Sequence, residues 1–387
     1  MLEGRVVADA GHAVAGTERS ASWPILRPVL VFHLATRLVI IVALLIAAAI
    51  SERTFPEVVL RWDGQWFERV ATEGYPADLP IGLDGKVESN TTAFFPVFPL
   101  LVKGLMTLGM PFWLGSMIIN LAASSAAVLL IVLVGSQYLD RHAAQLLGCV
   151  WTTFPLSSVL TTAYSEAVFG VVAAASLLFM LRRNWVLAGV AAALAGATRP
   201  TGIVFAGAVG LAALIAIAQR REWRSAIGAA IAPLGFLGTV LGTGLYAGRW
   251  DAWAVTERDG WHLKLNFGAG WLKWLDLSAS TPVGYVHLVT ATIVVVLLIL
   301  TIIAIALRPP VPIIALMVVG AFVACAYDGV GMNAAPRNMM SMFPIFAPVA
   351  ILLARCPAGV RWTVLGIGAV VSAVVGAAVF AFVPLPP

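Results

Sequence analysis

The chain has 387 residues, of which 60% are hydrophobic and only 11% are charged, and its mean hydropathy is +0.94. This composition excludes a water-soluble globule and indicates an all-α, polytopic membrane protein. The formal net charge is +5, but the basic residues are scattered over short connections, as the positive-inside tendency explains, so we predict no nucleic-acid partner.

The predicted elements begin after a polar tail. Residues 1–27 have arginines but no apolar core of their own, which predicts a disordered cytoplasmic tail and not a cleaved signal peptide. Residues 28–387 are predicted to form one transmembrane domain of about 11 helices, within a range of 10 to 12. The apolar runs that predict these spans lie near 28–50, 113–136, 143–160, 165–181, 185–198, 202–218, 226–247, 284–307, 311–327, 338–354 and 362–383.

Arginines in the short connections set the predicted orientation. Arg141, Arg182, Arg220, Arg308 and Arg355 all fall in alternate connections, which are therefore predicted to be cytoplasmic. The N-terminus is then cytoplasmic, and two long loops, 52–112 and 248–283, are extracytoplasmic. Within the first span, Arg37 follows His33 by one turn, and we interpret it as an arginine that snorkels to the cytoplasmic interface.

The first long loop contains the most informative stretch, RWDGQWFERVATEGY followed by FFPVFPLL. If residues 58–75 form one helix along the membrane surface, Trp62, Trp66 and Phe67 share an apolar face. Asp63 points into the middle of that face, where a carboxylate is costly unless a polar cleft receives it. The alternative is that Asp63 only caps a surface helix or pairs with Arg61.

Two further segments are ambiguous. Residues 95–109 are apolar, but counting them as a span reverses the arginine pattern, so we interpret them as a helix in or re-entering from the outer interface. A true span is the alternative. The second long loop contains Trp250, Trp253, Trp261, Trp271 and Trp274, which suit either a membrane interface or a platform for sugars.

Polar residues recur at the predicted outer ends of different spans, where ionisable groups often mark function. An acid with several arginines suits a substrate that has a phosphate to bind and a hydroxyl to deprotonate. Each residue also has a purely structural interpretation, such as helix capping by Ser165 and Glu166 or interfacial anchoring by Arg199 and Arg337. The set comprises Arg61, Asp63, Tyr164, Ser165, Glu166, Thr198, Arg199, Tyr246, Arg249, Asp328, Arg337 and Asn338.

The sequence lacks the motifs of several other kinds of enzyme. There is no Walker A sequence, no strand followed by a GxGxxG turn and no GxSxG elbow, and Cys149, Cys325 and Cys356 have neither disulfide nor metal-ligand spacing. No soluble domain is predicted to hold a nucleotide. An activated group is therefore expected to arrive attached to a lipid, and we predict no metal and no other cofactor.

The order RWDGQWFERVATEGY, FFPVFPLL, AYSEAVF and TRPTG resembles the PIG-V family of mannosyltransferases, within the GT-C superfamily of membrane glycosyltransferases. The resemblance covers residues 58–205 and becomes diffuse beyond them, where RNMMSMFPIF carries it. It implies a GT-C-like bundle, an extracytoplasmic site, a polyprenyl-phosphate-mannose donor and inversion to an α-mannoside, with an α-1,6 linkage in eukaryotic members. The Ala- and Val-rich composition suggests a bacterium of high GC content, with an actinobacterial-type homologue and a phosphatidylinositol mannoside or related glycolipid as acceptor.

The resemblance also implies roles for individual residues. Asp63, in the WD motif, is the expected general base, and Arg199 and Arg337 are expected to stabilise the leaving phosphate. The remaining expected substrate-binding residues are Arg61, Trp62, Trp66, Phe95, Tyr164 and Glu166.

Two other classes of function use some of the same features. A transporter or flippase for a lipid-linked sugar needs the arginines but not Asp63 as a base. A non-catalytic subunit of a larger glycosyltransferase needs neither. A GT-C enzyme that uses a different polyprenyl-phosphate sugar is a third alternative.

Overall fold

A computed structural model describes residues 23–271, 282–328, 330–383 and 386. Residues 1–22 of the predicted tail and Trp274 lie outside the described residues. The first helix begins at Trp23 and not near residue 28, so the last part of the predicted tail is helical. Its N-terminal turns contain Pro24 and Pro28, which are compatible with the beginning of a helix.

The described chain is a helical bundle, and its α-helices are numbered here in chain order. The first nine are α1 (Trp23–Ile50), α2 (Phe55–Val59), α3 (Asp63–Thr72), α4 (Val97–Met106), α5 (Phe112–Gly135), α6 (Arg141–Thr152), α7 (Glu166–Leu181), α8 (Trp185–Thr198) and α9 (Ile203–Arg220). The others are α10 (Ser225–Ile231), α11 (Leu234–Tyr246), α12 (Ala252–Val255), α13 (Pro282–Ala306), α14 (Val311–Ala326), α15 (Val330–Met340), α16 (Ala347–Arg355) and α17 (Ala358–Ala381).

Short elements connect the helices. Strand β1 (Lys264–Leu265) pairs antiparallel with β2 (Tyr327–Asp328), which ties the second long loop to the connection between α14 and α15. Single helical turns of other types complete the set, at Thr91–Ala93, Ser157–Leu160, Pro200–Gly202, Thr256–Gly260 and Phe343–Phe346.

Each of the eleven predicted apolar runs coincides with helical structure, but fewer helices are long enough to cross a bilayer. Six stretches of the described chain meet the length and hydropathy expected of a span, or seven if the pair 332–340 and 343–355, bent by 79°, is one broken span. Four further apolar helices, α4, α7, α8 and α14, have only 10–17 residues. At 1.5 Å per residue these are shorter than a hydrocarbon core of about 30 Å, so the predicted count of eleven full spans is not confirmed.

The helix predicted over 58–75 is instead two helices. Thr54 begins α2 with a capping box, in which its side chain and that of Glu57 each bind the other's backbone N–H. The chain then turns over Leu60–Trp62, and α3 begins at Asp63. The predicted helix over 95–109 is α4, whose ten residues span about 15 Å and do not cross a bilayer unaided.

Glycine allows the central helices to approach closely. A Cβ on Gly228 of α10 would lie 2.2 Å from the Trp185 carbonyl oxygen of α8, and one on Gly235 of α11 would lie 1.7 Å from the Ala193 oxygen. Only glycine permits such backbone contact, which is the usual device for packing helices in a membrane. Arg199 is the C-cap residue of the same α8, so this packing fixes one end of the cavity described below.

Candidate active site

Asp63 lies immediately after a strained turn. The preceding residue, Trp62, has φ 63° and ψ −117°, a conformation that L-residues with large side chains rarely adopt. Such a conformation raises the free energy of the folded state by about 1–3 kcal/mol and persists only where surrounding contacts hold the residue in it. Because α3 starts directly after this turn, the turn determines the direction in which the Asp63 side chain leaves the chain.

The end of α17 holds the turn in place. The Arg61 guanidinium donates to the carbonyl oxygens of Phe380, at 3.2 Å, and Val383, at 3.0 Å. The Trp62 indole N–H donates to the Val379 carbonyl oxygen at 3.4 Å. These are carbonyls of a helix C-terminus, which otherwise lack partners within the helix. Arg61 therefore points away from the cavity, and the structure does not bring it to the other predicted substrate-binding residues.

Asp63 belongs to a cluster of two carboxylates and two guanidiniums. Arg337 Nη1 donates to Asp63 Oδ2 at 2.7 Å, and Arg337 Nε lies 3.1 Å from Glu166 Oε1. Arg199 Nη1 lies 2.6 Å from the same Glu166 oxygen. The four formal charges cancel, as a buried ionic group requires. Glu166 is only 5% exposed. It contacts both arginines but does not line the cavity, whereas Asp63 does.

Neutral groups complete the cluster. Arg199 donates to Ser165 Oγ at 3.0 Å and to Asn338 Oδ1 at 3.1 Å. The Arg337 guanidinium lies over the ring of buried Tyr164, 5.0 Å from its centroid, and the Asp63 backbone N–H donates to the Tyr164 hydroxyl at 3.4 Å. These contacts fix the planes of both guanidiniums, which favours bidentate binding of an anion.

The cluster forms one end of a cavity of about 400 Å³. The rest of the wall is mainly aromatic and aliphatic, which is the usual lining of a small-molecule site. The predicted site residues that line the cavity are Trp62, Asp63, Trp66, Phe95, Arg199 and Arg337. Tyr164 and Glu166 lie behind this wall and support it, as the contacts above describe.

Glu257 also lines the cavity, and the sequence analysis did not select it. It is partly buried in the turn Thr256–Gly260 of the second long loop. Burial raises the pKa of Glu257 to about 8, with a hydrogen bond from the Trp253 side chain opposing the shift and the charge of Asp63 adding to it. A signal was available: Trp253, Glu257 and Trp261 follow at intervals of four residues, which places them on one face of a helical segment.

Among the described carboxylates, Asp63 and Glu257 line the cavity, and Glu166 lies behind its wall. Within the ranges that the structure describes, no three or more His, Cys, Asp or Glu side chains are grouped as they would be around a metal ion.

Comparison with known proteins adds information on the fold. No protein-family model matches the sequence, and no curated protein matches it. Among solved structures, the chain is similar to the crystal structure of ArnT from Cupriavidus metallidurans bound to undecaprenyl phosphate, with a TM-score of 0.51 and 15% sequence identity. The chain has a GT-C-like fold. The similarity covers 88% of this chain but only 62% of the ArnT chain, so the protein spans less than two thirds of that structure.

Proposed function

We propose that this protein is an inverting membrane glycosyltransferase that moves mannose from a polyprenyl-phosphate-mannose to a glycolipid acceptor. The observation that carries the proposal is the placement of one cavity-facing carboxylate, Asp63, beside two buried guanidiniums at the end of a 400 Å³ cavity. A base and a phosphate site are what a single displacement on a lipid-linked sugar requires.

The donor class has separate support. ArnT, whose fold this chain resembles, was crystallised with undecaprenyl phosphate, and a lipid of that class suits a cavity with an apolar wall and a cationic end. Arg199 and Arg337 would bind the lipid phosphate, and they would neutralise the charge that builds on it as the sugar leaves. The proposal includes no metal and no diffusible cofactor.

The reaction is one substitution at the anomeric carbon. A lone pair of the acceptor hydroxyl forms the new C1–O bond while the bond between C1 and the phosphate oxygen breaks, and the polyprenyl phosphate leaves with that electron pair. The hydroxyl proton passes to the Asp63 carboxylate. Asp63 Oδ2 is held by Arg337, so Oδ1 is the oxygen proposed to accept the proton. One carboxylate suffices because attack and departure occur on opposite faces of the sugar.

The identities of the sugar and acceptor rest on the motifs around Asp63. Their resemblance to the PIG-V family favours mannose and an α linkage, with α-1,6 as the proposed regiochemistry, and a phosphatidylinositol mannoside as the proposed acceptor. The arginine pattern of the short connections favours a cytoplasmic N-terminus and a site that opens at the extracytoplasmic face of the cell membrane.

Mannose transfer by the purified full chain tests the proposal. Radiolabelled polyprenyl-phosphate-mannose is supplied with phosphatidylinositol mannosides in nanodiscs, with glucose and arabinose donors in parallel. Asp63→Asn keeps the hydrogen bond to Arg337 but removes the base, and we expect transfer to fall by about 100-fold or more with an unchanged melting temperature. Glu73→Gln, at the exposed end of α3, is the matched control and should transfer normally.

Three outcomes contradict parts of the proposal. Unchanged transfer by the Asp63→Asn variant removes the assignment of the base. Transfer from another donor but not from the mannose donor overturns the choice of sugar. Movement of a lipid-linked sugar across vesicles by wild-type protein, without transfer from any donor, replaces the enzyme with a transporter.

A further inference from the structure

Part of the cavity wall is built by the second long loop. Trp253, Glu257 and Trp261 lie four residues apart on α12 and the turn that follows it, and all three line the cavity. The two tryptophans are only partly buried. A carboxyl group thus lies between two aromatic rings on one face of a short helical segment, at the wall of the cavity.

Each tryptophan belongs to a group of three aromatic rings. In the first group, the Trp66 and Phe94 rings are stacked with centroids 5.7 Å apart, and Trp261 lies edge-on to both, at 5.2 Å and 5.5 Å. The indole N–H of Trp261 makes no hydrogen bond within the described part of the chain. Edge-to-face packing of this kind holds the rings in a fixed arrangement.

The second group surrounds Trp253. Its ring centroid lies 5.4 Å from that of Phe236 and 6.2 Å from that of Phe95, and Phe95 and Phe236 are 5.9 Å apart. Phe95 is buried, whereas Phe236 and Trp253 are partly exposed. The two groups therefore flank Glu257 along the cavity wall.

This wall is fixed to the loop that carries Asp63. Ser89 Oγ donates to the Gly260 carbonyl oxygen at 2.7 Å, and the Asn90 side chain donates to Thr256 Oγ1 at 3.2 Å. A Cβ on Gly260 would lie 2.8 Å from backbone atoms of Glu88 and Ser89. The second loop is thus seated on the first by contacts that leave no room for a side chain at position 260.

The charges around Glu257 differ from those around Asp63. Within the described ranges no basic nitrogen lies within 4 Å of the Glu257 carboxyl group, whereas Arg337 pairs with Asp63 at 2.7 Å. Other charged groups are engaged elsewhere: the adjacent Arg258 pairs with Asp259 at 2.7 Å, and Arg249 pairs with Asp251 at 2.7 Å. Burial and the Asp63 charge raise the pKa of Glu257 to about 8, against a hydrogen bond from the Trp253 side chain that lowers it, so the protonated form is favoured at neutral pH. A protonated carboxyl both donates and accepts hydrogen bonds.

We propose that Glu257 and the two flanking aromatic groups form the acceptor subsite, which takes the cyclic polyol of a glycolipid headgroup, a pyranose or a cyclitol. This inference rests on the proposed function, because it assigns the phosphate of the donor to Arg199 and Arg337. Asp63 lines the same cavity as Glu257 and the two arginines, as a base that serves the acceptor hydroxyl must. The apolar faces of the ring pack on the aromatic rings, and Glu257 hydrogen-bonds to its hydroxyls.

Binding of free polyols tests the subsite without any transfer reaction. Saturation-transfer NMR on the full chain in nanodiscs uses methyl α-mannopyranoside and myo-inositol as probes, with 1,6-hexanediol as an acyclic control. We expect a signal for at least one cyclic probe with wild type and with the transfer-deficient Asp63→Asn variant. Glu257→Ala should lower the affinity for that probe by about fivefold to tenfold, as expected for a lost buried hydrogen bond.

The pH dependence separates a ligand contact from a structural role. Glu257→Gln also donates and accepts but cannot ionise, so it should bind the probe at pH 7 about as well as wild type does. At pH 9 the wild-type affinity should fall about threefold to tenfold while that of the Gln variant stays constant. Glu73→Gln should behave as wild type throughout.

Equal probe binding by wild type and the Ala variant overturns the subsite, as does an equal pH dependence of wild type and the Gln variant. Neither result contradicts the proposed transferase activity, which is measured in a separate assay. A chain that binds the probe through Glu257 but transfers no sugar retains the subsite and loses the proposed function. Should the Ala variant fail to fold, the pH comparison between wild type and the Gln variant decides alone.

Discussion

Arg37 and Arg337 are both buried in this bundle, and their surroundings differ. Arg337 is 7% exposed, contacts the carboxylates of Asp63 and Glu166, and lines the cavity. Arg37 is 1% exposed, and its guanidinium donates to the Thr152 carbonyl oxygen at 2.6 Å and to Ser157 Oγ at 2.9 Å. Among the described residues no carboxylate pairs with Arg37. Burial alone therefore does not distinguish a functional arginine from a structural one.

The difference lies in what each guanidinium satisfies. Arg37 binds neutral acceptors where α6 ends, and Ser157 in turn contacts Ser372 of α17 at 2.8 Å, so the arginine joins α1, α6 and α17. Carbonyls at a helix end need such partners when no water reaches them. The prediction that Arg37 snorkels to the interface is wrong for this reason. Arg337 instead has its charge compensated by acids, one of which faces open space.

The largest effect is expected at the cavity. Arg337→Gln removes the charge that would stabilise the leaving phosphate and the donor that holds Asp63, so mannose transfer should fall by about 100-fold or more. Arg337→Gln also leaves one carboxylate of the cluster uncompensated, so the melting temperature should fall, and the transfer rate is measured on the folded protein. Arg308→Gln, at an exposed arginine, is the matched control and should retain full transfer. Normal transfer by the Arg337 variant would show that the cluster has only a structural role, as the contacts of Arg37 do.

The opposite pattern is expected at Arg37. Arg37→Gln leaves buried carbonyls without donors, and the free energy of unfolding in detergent should fall by about 3 kcal/mol. The protein that still folds should transfer mannose at a rate within a few-fold of wild type. Arg27→Gln on the same helix, where the side chain is exposed, should leave both quantities unchanged. A large loss of transfer by well-folded Arg37→Gln protein would contradict the structural assignment.

Much of the fold and of the cavity could be predicted because apolar runs and polar residues at their ends are visible in the sequence. The runs mark the helices, and the ends of separate helices supply the charge cluster. Asp63 and Arg337 are 274 positions apart, yet both were selected because each interrupts or borders an apolar segment. The resemblance to a GT-C family agrees with the observed fold.

The features that could not be predicted depend on contacts between distant segments. Helical periodicity continues through 58–75, but the carbonyls at the end of α17 hold Trp62 in a strained turn and draw Arg61 away from the cavity. The position at which a helix ends likewise depends on its contacts with neighbouring segments. Tryptophan content alone does not mark Glu257; the signal is the four-residue spacing of Trp253, Glu257 and Trp261, which places them on one face of a helical segment.

Glu257 shows a third way to bury an ionisable group, in which the group is protonated and neutral. The smallest expected effect concerns this residue. Its pKa is raised to about 8 from an unfolded value of about 4.3, so the folded state binds the proton more tightly. The resulting stability is fully present below the unfolded pKa, declines as the pH rises and is lost above pH 8. Between pH 5 and 9, wild type should lose about 1 kcal/mol more than Glu257→Gln does, once exposure to cavity water is allowed for. Thermal unfolding of both proteins across this range measures the difference. Parallel curves would mean that Glu257 carries its charge at neutral pH.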